Sequence, residues 1–396
     1  MPWRGGLAGT GCRETNQMAA APAHIHIESV QTAVPTRVAA DRGRLLPIAV
    51  HGPALTAAEL QRRFLAVLYY RGTEGVHGQQ LDEGEARARL EQAVWVTEAL
   101  SAALPDHPKM AGRLRRGSDD APSWGVKLSD AGLRFLVASA DTTMSAFLAE
   151  EAKGARESNE SALALWTDVD PLDPEMCAPF VMQFTRFQDG GYAIGACCSL
   201  LHADPLSLAD FLKSWARTHA QLQAQSELVI NQVIRYTHYF RSPAAAAKRL
   251  KSVPLVPPSA ESTTKTVLFR TAAGGDAPAA DDRRQALAEA CIAQASEKLG
   301  VEKPARFTVL AADGSGGLNV HACTGQTRKT AASPGYALRD ACWHEAGLEE
   351  VVLDGSKPVH VSCSIVSPCA DEGLVVVMPA AAGGTELLIS ATAPSW

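Results

Sequence analysis

Residues 179–216 read PFVMQFTRFQDGGYAIGACCSLLHADPLSLADFLKSWA. Two nearly continuous apolar runs, 179–187 and 192–201, flank the turn triplet Asp189-Gly190-Gly191. An apolar run broken by Asp-Gly-Gly predicts a β-hairpin, and the lack of polar alternation predicts that both faces of its strands are buried. Residues 206–222, LSLADFLKSWARTHAQL, then predict a helix whose start is marked by Ser207 and Asp210 in an S-x-x-D pattern. Central strands feeding a helix make this an α/β chain.

Outward from this block the elements stay mixed. HIHIESVQTAV (24–34) alternates and predicts a strand ending before Pro35, and RFLAVLYYR (63–71) a second one. A helix is expected over 84–104, with Ala86, Leu90, Ala93, Val94, Thr97, Leu100 and Leu104 on one face and Pro105 ending it. Residues 242–263, SPAAAAKRLKSVPLVPPSAEST, shift to proline, serine and alanine and read as a semi-extended linker. Strands over 264–272, 307–312, 359–366 and 374–379 and a helix over 283–299, carrying Leu287, Cys291, Ala295 and Leu299, complete the pattern. The expected division is a disordered extension (1–17, with Met18 a candidate start), a first domain (18–241), the linker, and a second domain (264–396).

At 396 residues the chain exceeds the roughly 250–300 at which single cores stop growing, which favours two domains. A net charge of −6 gives no electrostatic reason for nucleic acid as the partner, and no apolar run reaches the ~18–20 residues of a membrane span. The N-terminus lacks the apolar stretch of a secretory signal, and nine scattered cysteines without a CxxC pair suit reduced thiols. The sequence contains neither a GxSxG elbow nor a GxxxxGK[ST] loop. His344-Glu345 starts an HExxH pattern that fails at Leu348, Gly314–Gly317 lacks a strand–turn–helix context, and His24 and His26 read as surface histidines. Metal, nucleoside-triphosphate and serine-hydrolase chemistry find no motif, and no permanently bound cofactor is expected. Trp95, Trp166 and Trp215 read as core, and Arg113, Arg115 and Arg116 as a solvated loop end.

The hairpin–helix block resembles the central signature of plant BAHD acyl-CoA-dependent acyltransferases: a strand, H-x-x-x-D-G, then a helix with a Ser-Trp-Ala-like triplet. HIHIESVQTAVPTR (24–37), LEQAVWVTEALSAALPDHPKMAGRL (90–114) and KLSDAGLRFLVASADTTMSAFL (127–148) are similar to further pieces of that family in the same order. The resemblance implies two α/β domains of the chloramphenicol-acetyltransferase type with mixed sheets, joined by a crossover where 242–263 lies. It also implies a channel between them that takes acyl-CoA from one side. The family's motif histidine is the general base, suited by an imidazole pKa near ~6.5, and its aspartate pairs with a basic residue to hold the loop.

Counted back from Ser214-Trp215-Ala216, the family histidine falls on Leu200 and the aspartate on Asp204, so His202 comes two residues late. The candidate site residues are therefore His202, displaced from the catalytic position, and Asp204, in a structural role. Read as a strand, 200–202 would separate its ends by ~6.5–7 Å, beyond the ~2.6–3.2 Å of proton transfer, unless a bulge slides His202 into place. The family's second motif, Asp-Phe-Gly-Trp-Gly ahead of Lys-Pro, is reduced to Val352-Leu353-Asp354-Gly355-Ser356 before Lys357-Pro358. The second half is also expected to be roughly 60 residues short of a two-domain chain of this class. These losses, with Pro205 where active members carry glycine, resemble the Eceriferum and Glossy wax-elongation branch. That resemblance implies a cytoplasmic, monomeric accessory factor, peripheral at the endoplasmic reticulum. Its partner would be a membrane 3-ketoacyl-CoA synthase that extends very-long-chain acyl-CoAs toward cuticular wax. The alternative is an active acyl-CoA-dependent O- or N-acyltransferase using His202 as base.

Overall fold

A computed structural model describes residues 23–72, 83–117, 123–149, 159–226, 250–255, 265–271, 281–312, 316–324, 338–369, 371–379 and 386–393. The expected extension at 1–17 and all of the linker except 250–255 lie outside these residues. In chain order the strands are β1 (His24–Ala33), β2 (Leu45–His51), β3 (Arg63–Tyr70), β4 (Arg113–Arg116), β5 (Trp124–Lys127), β6 (Leu133–Ala140), β7 (Phe180–Arg186) and β8 (Tyr192–Ser199). They continue with β9 (Lys251–Pro254), β10 (Lys265–Thr271), β11 (Arg306–Ala312), β12 (Leu318–Thr324), β13 (Leu338–Ala341), β14 (His360–Val366), β15 (Glu372–Pro379) and β16 (Leu387–Ala393). The α-helices are α1 (Ala57–Leu60), α2 (Glu83–Ala103), α3 (Met144–Ala149), α4 (Pro205–Ser226) and α5 (Asp281–Leu299).

The strands form two mixed sheets. The first has the order β14-β3-β8-β7-β6-β1-β9, the second β13-β10-β16-β15-β11-β12-β2-β5-β4. The two halves of the chain trade strands: β14 pairs with β3 in the first sheet, while β2 runs parallel to β12 and carries β5 and β4 into the second.

The β7–β8 hairpin lies at the centre of the first sheet, and alternate residues feed two different cores. Phe180, Met182, Phe184, Ile194 and Cys198 join the large cluster between the sheets, while Val181, Ala193 and Cys197 join a second cluster on the opposite face. Burial on both sides is why the strands read as unbroken apolar runs. Gly195 is required here, since a Cβ would lie 2.0 Å from the carbonyl oxygen of Leu163. A third cluster, with Leu287, Cys291 and Ala295, sits under α5 on the far side of the second sheet.

Two helix expectations change in detail. The buried face of α2 is Ala93, Val96, Ala99, Leu100 and Ala103, with Leu104 following, rather than the stripe through Val94 and Thr97. Alanines, weak in a hydrophobic pattern, form the contact because α2 packs against α4, where the Trp215 indole N–H donates to the Val96 carbonyl at 3.4 Å. The helix α4 is capped by Asp204 and not by a Ser207–Asp210 box: the N–H groups of Leu206 and Ser207 both donate to Asp204 Oδ1 at 3.0 Å. Arg113–Arg116 is a strand rather than a loop end, with the Arg113 guanidinium donating to the Gly132 carbonyl at 2.7 Å.

Candidate functional site

The chain leaves β8 at Ser199 and enters α4 at Pro205, so the motif Leu200–Asp204 is the connection between a central strand and the helix. Residues 200–202 are not extended. The Ser199 carbonyl accepts the N–H of His202 at 2.9 Å and that of Ala203 at 3.1 Å, closing a reverse turn, while the Leu200 N–H donates to the Arg62 carbonyl at 3.0 Å. A turn brings its ends close where a strand would hold them apart, so the expected strand spacing between Leu200 and His202 does not apply. The signal for a turn, Ala203-Asp204-Pro205, is present in the sequence but lies just after the residues concerned.

His202 and Leu200 line one cavity. Its other walls are Lys109 from the first half and Leu310, Leu318 and Val376 from β11, β12 and β15, so it lies where the two sheets face each other. The volume is about 20 Å³, the room of about one water. Gly317 also lines it, and the Lys109 ammonium donates to the Gly316 carbonyl at 3.1 Å, holding this wall closed. Sequence reasoning missed Lys109, which sits within residues 90–114, and missed the contribution of β12.

His202 is fully buried; neither ring nitrogen makes a well-aligned hydrogen bond, although the backbone of Lys109 and Met110 lies close enough to oppose the loss of its proton. Burial, followed by the nearby charges of Lys109 and Arg113, lowers its pKa to about 3. The ring is thus neutral at physiological pH and a weak base. Asp204 is half-buried and spends its carboxylate on the first turn of α4, accepting also from the Ser207 hydroxyl at 2.5 Å. The expected basic partner is replaced by backbone N–H groups, which suit an anion at a helix N-terminus.

The eroded second motif retains a structural task. Asp354 (φ 50°) and Gly355 (φ 73°) form a left-handed turn bridging Leu353 and Ser356. The Asp354 carboxylate accepts from Gln92 at 2.8 Å, Gln223 at 2.7 Å and the Tyr192 hydroxyl at 3.3 Å. It thereby ties the loop to α2, α4 and β8. Burial, with the Asp354 charge second, raises the pKa of both Tyr70 and Tyr192 above the usual tyrosine range.

Elsewhere, among the described residues no group of three or more His, Cys, Asp and Glu side chains could hold a metal, the cysteines are free, and no helix is long and apolar enough to cross a membrane. Trp215 is wholly buried, and Trp166 is half-buried with the Arg63 guanidinium 5.6 Å above its ring.

The model of the Transferase family matches residues 91–312. The curated protein named Protein ECERIFERUM 26-like, from Arabidopsis thaliana, is 32% identical over 115 residues, which cover 28% of this chain and span only 25% of that relative's length. Among solved structures, vinorine synthase superposes with a TM-score of 0.44 at 16% identity, covering 93% of this chain and 94% of its own. TRI101 of F. graminearum, complexed with coenzyme A and deoxynivalenol, superposes with a TM-score of 0.37 at 12% identity, covering 88% of this chain and 95% of its own.

Proposed function

The chain belongs to the Transferase family of BAHD acyltransferases, and we propose that within it this protein is a non-catalytic accessory factor in very-long-chain acyl-CoA elongation for cuticular wax. The observation that carries this reading is the state of the one histidine in the motif. An effective general base needs a pKa near the operating pH. His202 is sealed beside two cations with its pKa lowered to about 3, and Leu200 occupies the place counted for the family's base. Losing general-base help costs about 10²–10⁴ in rate. The likeness to an Eceriferum relative and the reduced 352–356 motif support the same reading.

On this proposal acyl-CoA is a ligand or handed-over intermediate rather than a resident cofactor. The working partner is a 3-ketoacyl-CoA synthase at the endoplasmic reticulum, met from the cytoplasmic side by a monomer. On the same proposal residues 18–241 and 264–396 are the two domains, the second reduced, with β2, β4 and β5 lent to the second sheet and β14 to the first. The test is co-expression with several such synthases and chain-length profiling of the acyl products. Longer products are expected, equally with the H202A variant; unchanged profiles with every synthase would count against the proposal.

One observation favours a second reading, an active O- or N-acyltransferase. His202 does share the inter-sheet cavity with Leu200, and its two ring nitrogens, neither in a well-aligned hydrogen bond, are the kind of buried polar atoms that often serve a function. This reading expects release of free coenzyme A from acyl-CoA with a hydroxyl or amine acceptor, abolished in H202A.

A further inference from the structure

We propose that Ser252, His26 and Asp141 form a second, nucleophilic site on the edge of the first sheet, directed at activated esters and thioesters. The three residues come from β9, β1 and the turn after β6. The Ser252 hydroxyl lies 2.8 Å from His26 Nδ1, and His26 Nε2 lies 2.7 Å from Asp141 Oδ2. A nucleophile within hydrogen-bond reach of a base that a third group orients is the arrangement of covalent acyl transfer. The ring nitrogens are used in the opposite sense to the Ser-His-Asp hydrolases, but either can take a proton.

The surroundings suit the chemistry. His26 is 4% exposed, which fixes the ring, while Ser252 is exposed and within reach of a substrate. The Asp141 N–H donates to the His24 carbonyl at 2.9 Å, and the His24 ring stacks on His26 at 5.8 Å, so orienter and base are both held. Ser252 stands directly opposite His26 in the β1–β9 ladder. The Leu255 N–H to Ala23 carbonyl bond, 2.8 Å, marks that pair as hydrogen-bonded, so by alternation 26/252 is a non-hydrogen-bonded pair. In such a pair the side chains are closest, and the Ser252 N–H points away from β1 at the sheet edge. There it can donate to the oxyanion that forms on the substrate's carbonyl oxygen when Oγ adds to the carbonyl carbon.

With Asp141 accepting from Nε2–H, Nδ1 is free to take the Ser252 proton as Oγ bonds to the substrate's carbonyl carbon. The bond to the alkoxide or thiolate leaving group breaks, and His26 returns the proton to it. Water then attacks the acyl-serine, its proton passing through His26 to Ser252 Oγ, and the products are a carboxylic acid and an alcohol or thiol.

The test treats the full folded chain with an alkyl fluorophosphonate and maps the adduct by peptide mass spectrometry, alongside hydrolysis of p-nitrophenyl acetate. Labelling at Ser252 is expected, absent in S252A, and slowed about 10²-fold or more in H26Q and D141N. Should H26Q fail to fold, D141N decides, because that side chain is 42% exposed and its loss spares the core. No adduct on Ser252 of the native protein, or labelling at the same rate in D141N, would overturn the proposal and leave a hydrogen-bonded pin between strands.

Discussion

The N–H of His202 donates to the carbonyl of Ser199 at 2.9 Å, and this bond turns the imidazole into the seam between the sheets, where it is wholly buried. Its pKa falls from 6.5 in the open chain to about 3 in the fold, so between these values the unfolded state binds a proton that the native state does not. Native stability is therefore full above pH 6.5 and is lost as pH falls toward 3, on the order of a few kcal/mol for this group. Burial lowers His107 and His219 as well, adding to the same slope. The H202L variant, which fills the same space without unsatisfied nitrogens, should flatten the decline below pH 6.5 and be neutral or more stable at pH 7. Urea unfolding at pH 5 and pH 7.5 measures both; an equal pH slope in the two proteins would refute the assignment.

Asp204 caps α4 through two backbone N–H groups, which makes a helix-capping prediction separable from catalysis. D204A should cost ~0.5–2 kcal/mol, and D204S or D204N should recover most of it, since both are good caps. If the carboxylate instead depended on an ion pair, D204N would be as damaging as D204A. Thermal melts of the three variants distinguish the two cases.

How much of this was legible in the sequence follows from the range of the contacts. The β7–β8 hairpin and α4 are local, and their two-sided burial leaves an apolar signature that needs no tertiary knowledge. The strand exchange was not legible, because β2 reaches β12 across some 270 positions and Leu45–His51 contains Pro47, a residue that argues against a strand when read alone. The same holds for His26. Its alternation marked a strand, but burial by Asp141 and by Ser252, 226 residues away, is invisible locally, so the surface reading was wrong for this histidine. At the motif, periodicity carried 200–202 on as strand, whereas the turn is fixed by Ser199 accepting two N–H groups and by Leu200 anchoring to Arg62. Lys109 carried no signal of its own, since a lysine beside Pro108 reads as an exposed turn.

The loop left by the eroded second motif should still matter for folding. D354A removes the acceptor for Gln92, Gln223 and Tyr192 and places alanine at φ 50°, a conformation costing roughly 1–2 kcal/mol for an L-residue. D354N keeps one acceptor oxygen and tolerates that backbone, so the expected order of stability is wild type, then D354N, then D354A. Differential scanning calorimetry of the purified variants gives the order, and D354A melting with wild type would show that the loop is a passive remnant.

Arg62 supplies the most severe of the expected losses. Its guanidinium is 2% exposed and donates to Glu59 at 3.2 Å and to Glu372 at 3.2 Å, joining the start of β3 to the start of β15 and so one sheet to the other. Desolvating these charges was costly, which makes the trio poor evidence for net stability, but removing the guanidinium leaves two partly buried carboxylates without their shared cation. R62M should therefore cost about 3–5 kcal/mol, whereas R62M combined with E59Q and E372Q should regain a large part of it because no bare carboxylate remains. Arg306, 3.6 Å from Glu372, relieves that carboxylate in part, so E59Q should rescue R62M more than E372Q does. R62M keeps the Arg62 backbone carbonyl that anchors Leu200, so the motif turn should loosen only if breaking the ion pairs shifts that backbone, readable as faster amide exchange at Leu200 and His202 before global unfolding. Chemical unfolding of the single, double and triple variants carries the test, and additive costs with no rescue would mean that the three side chains act independently.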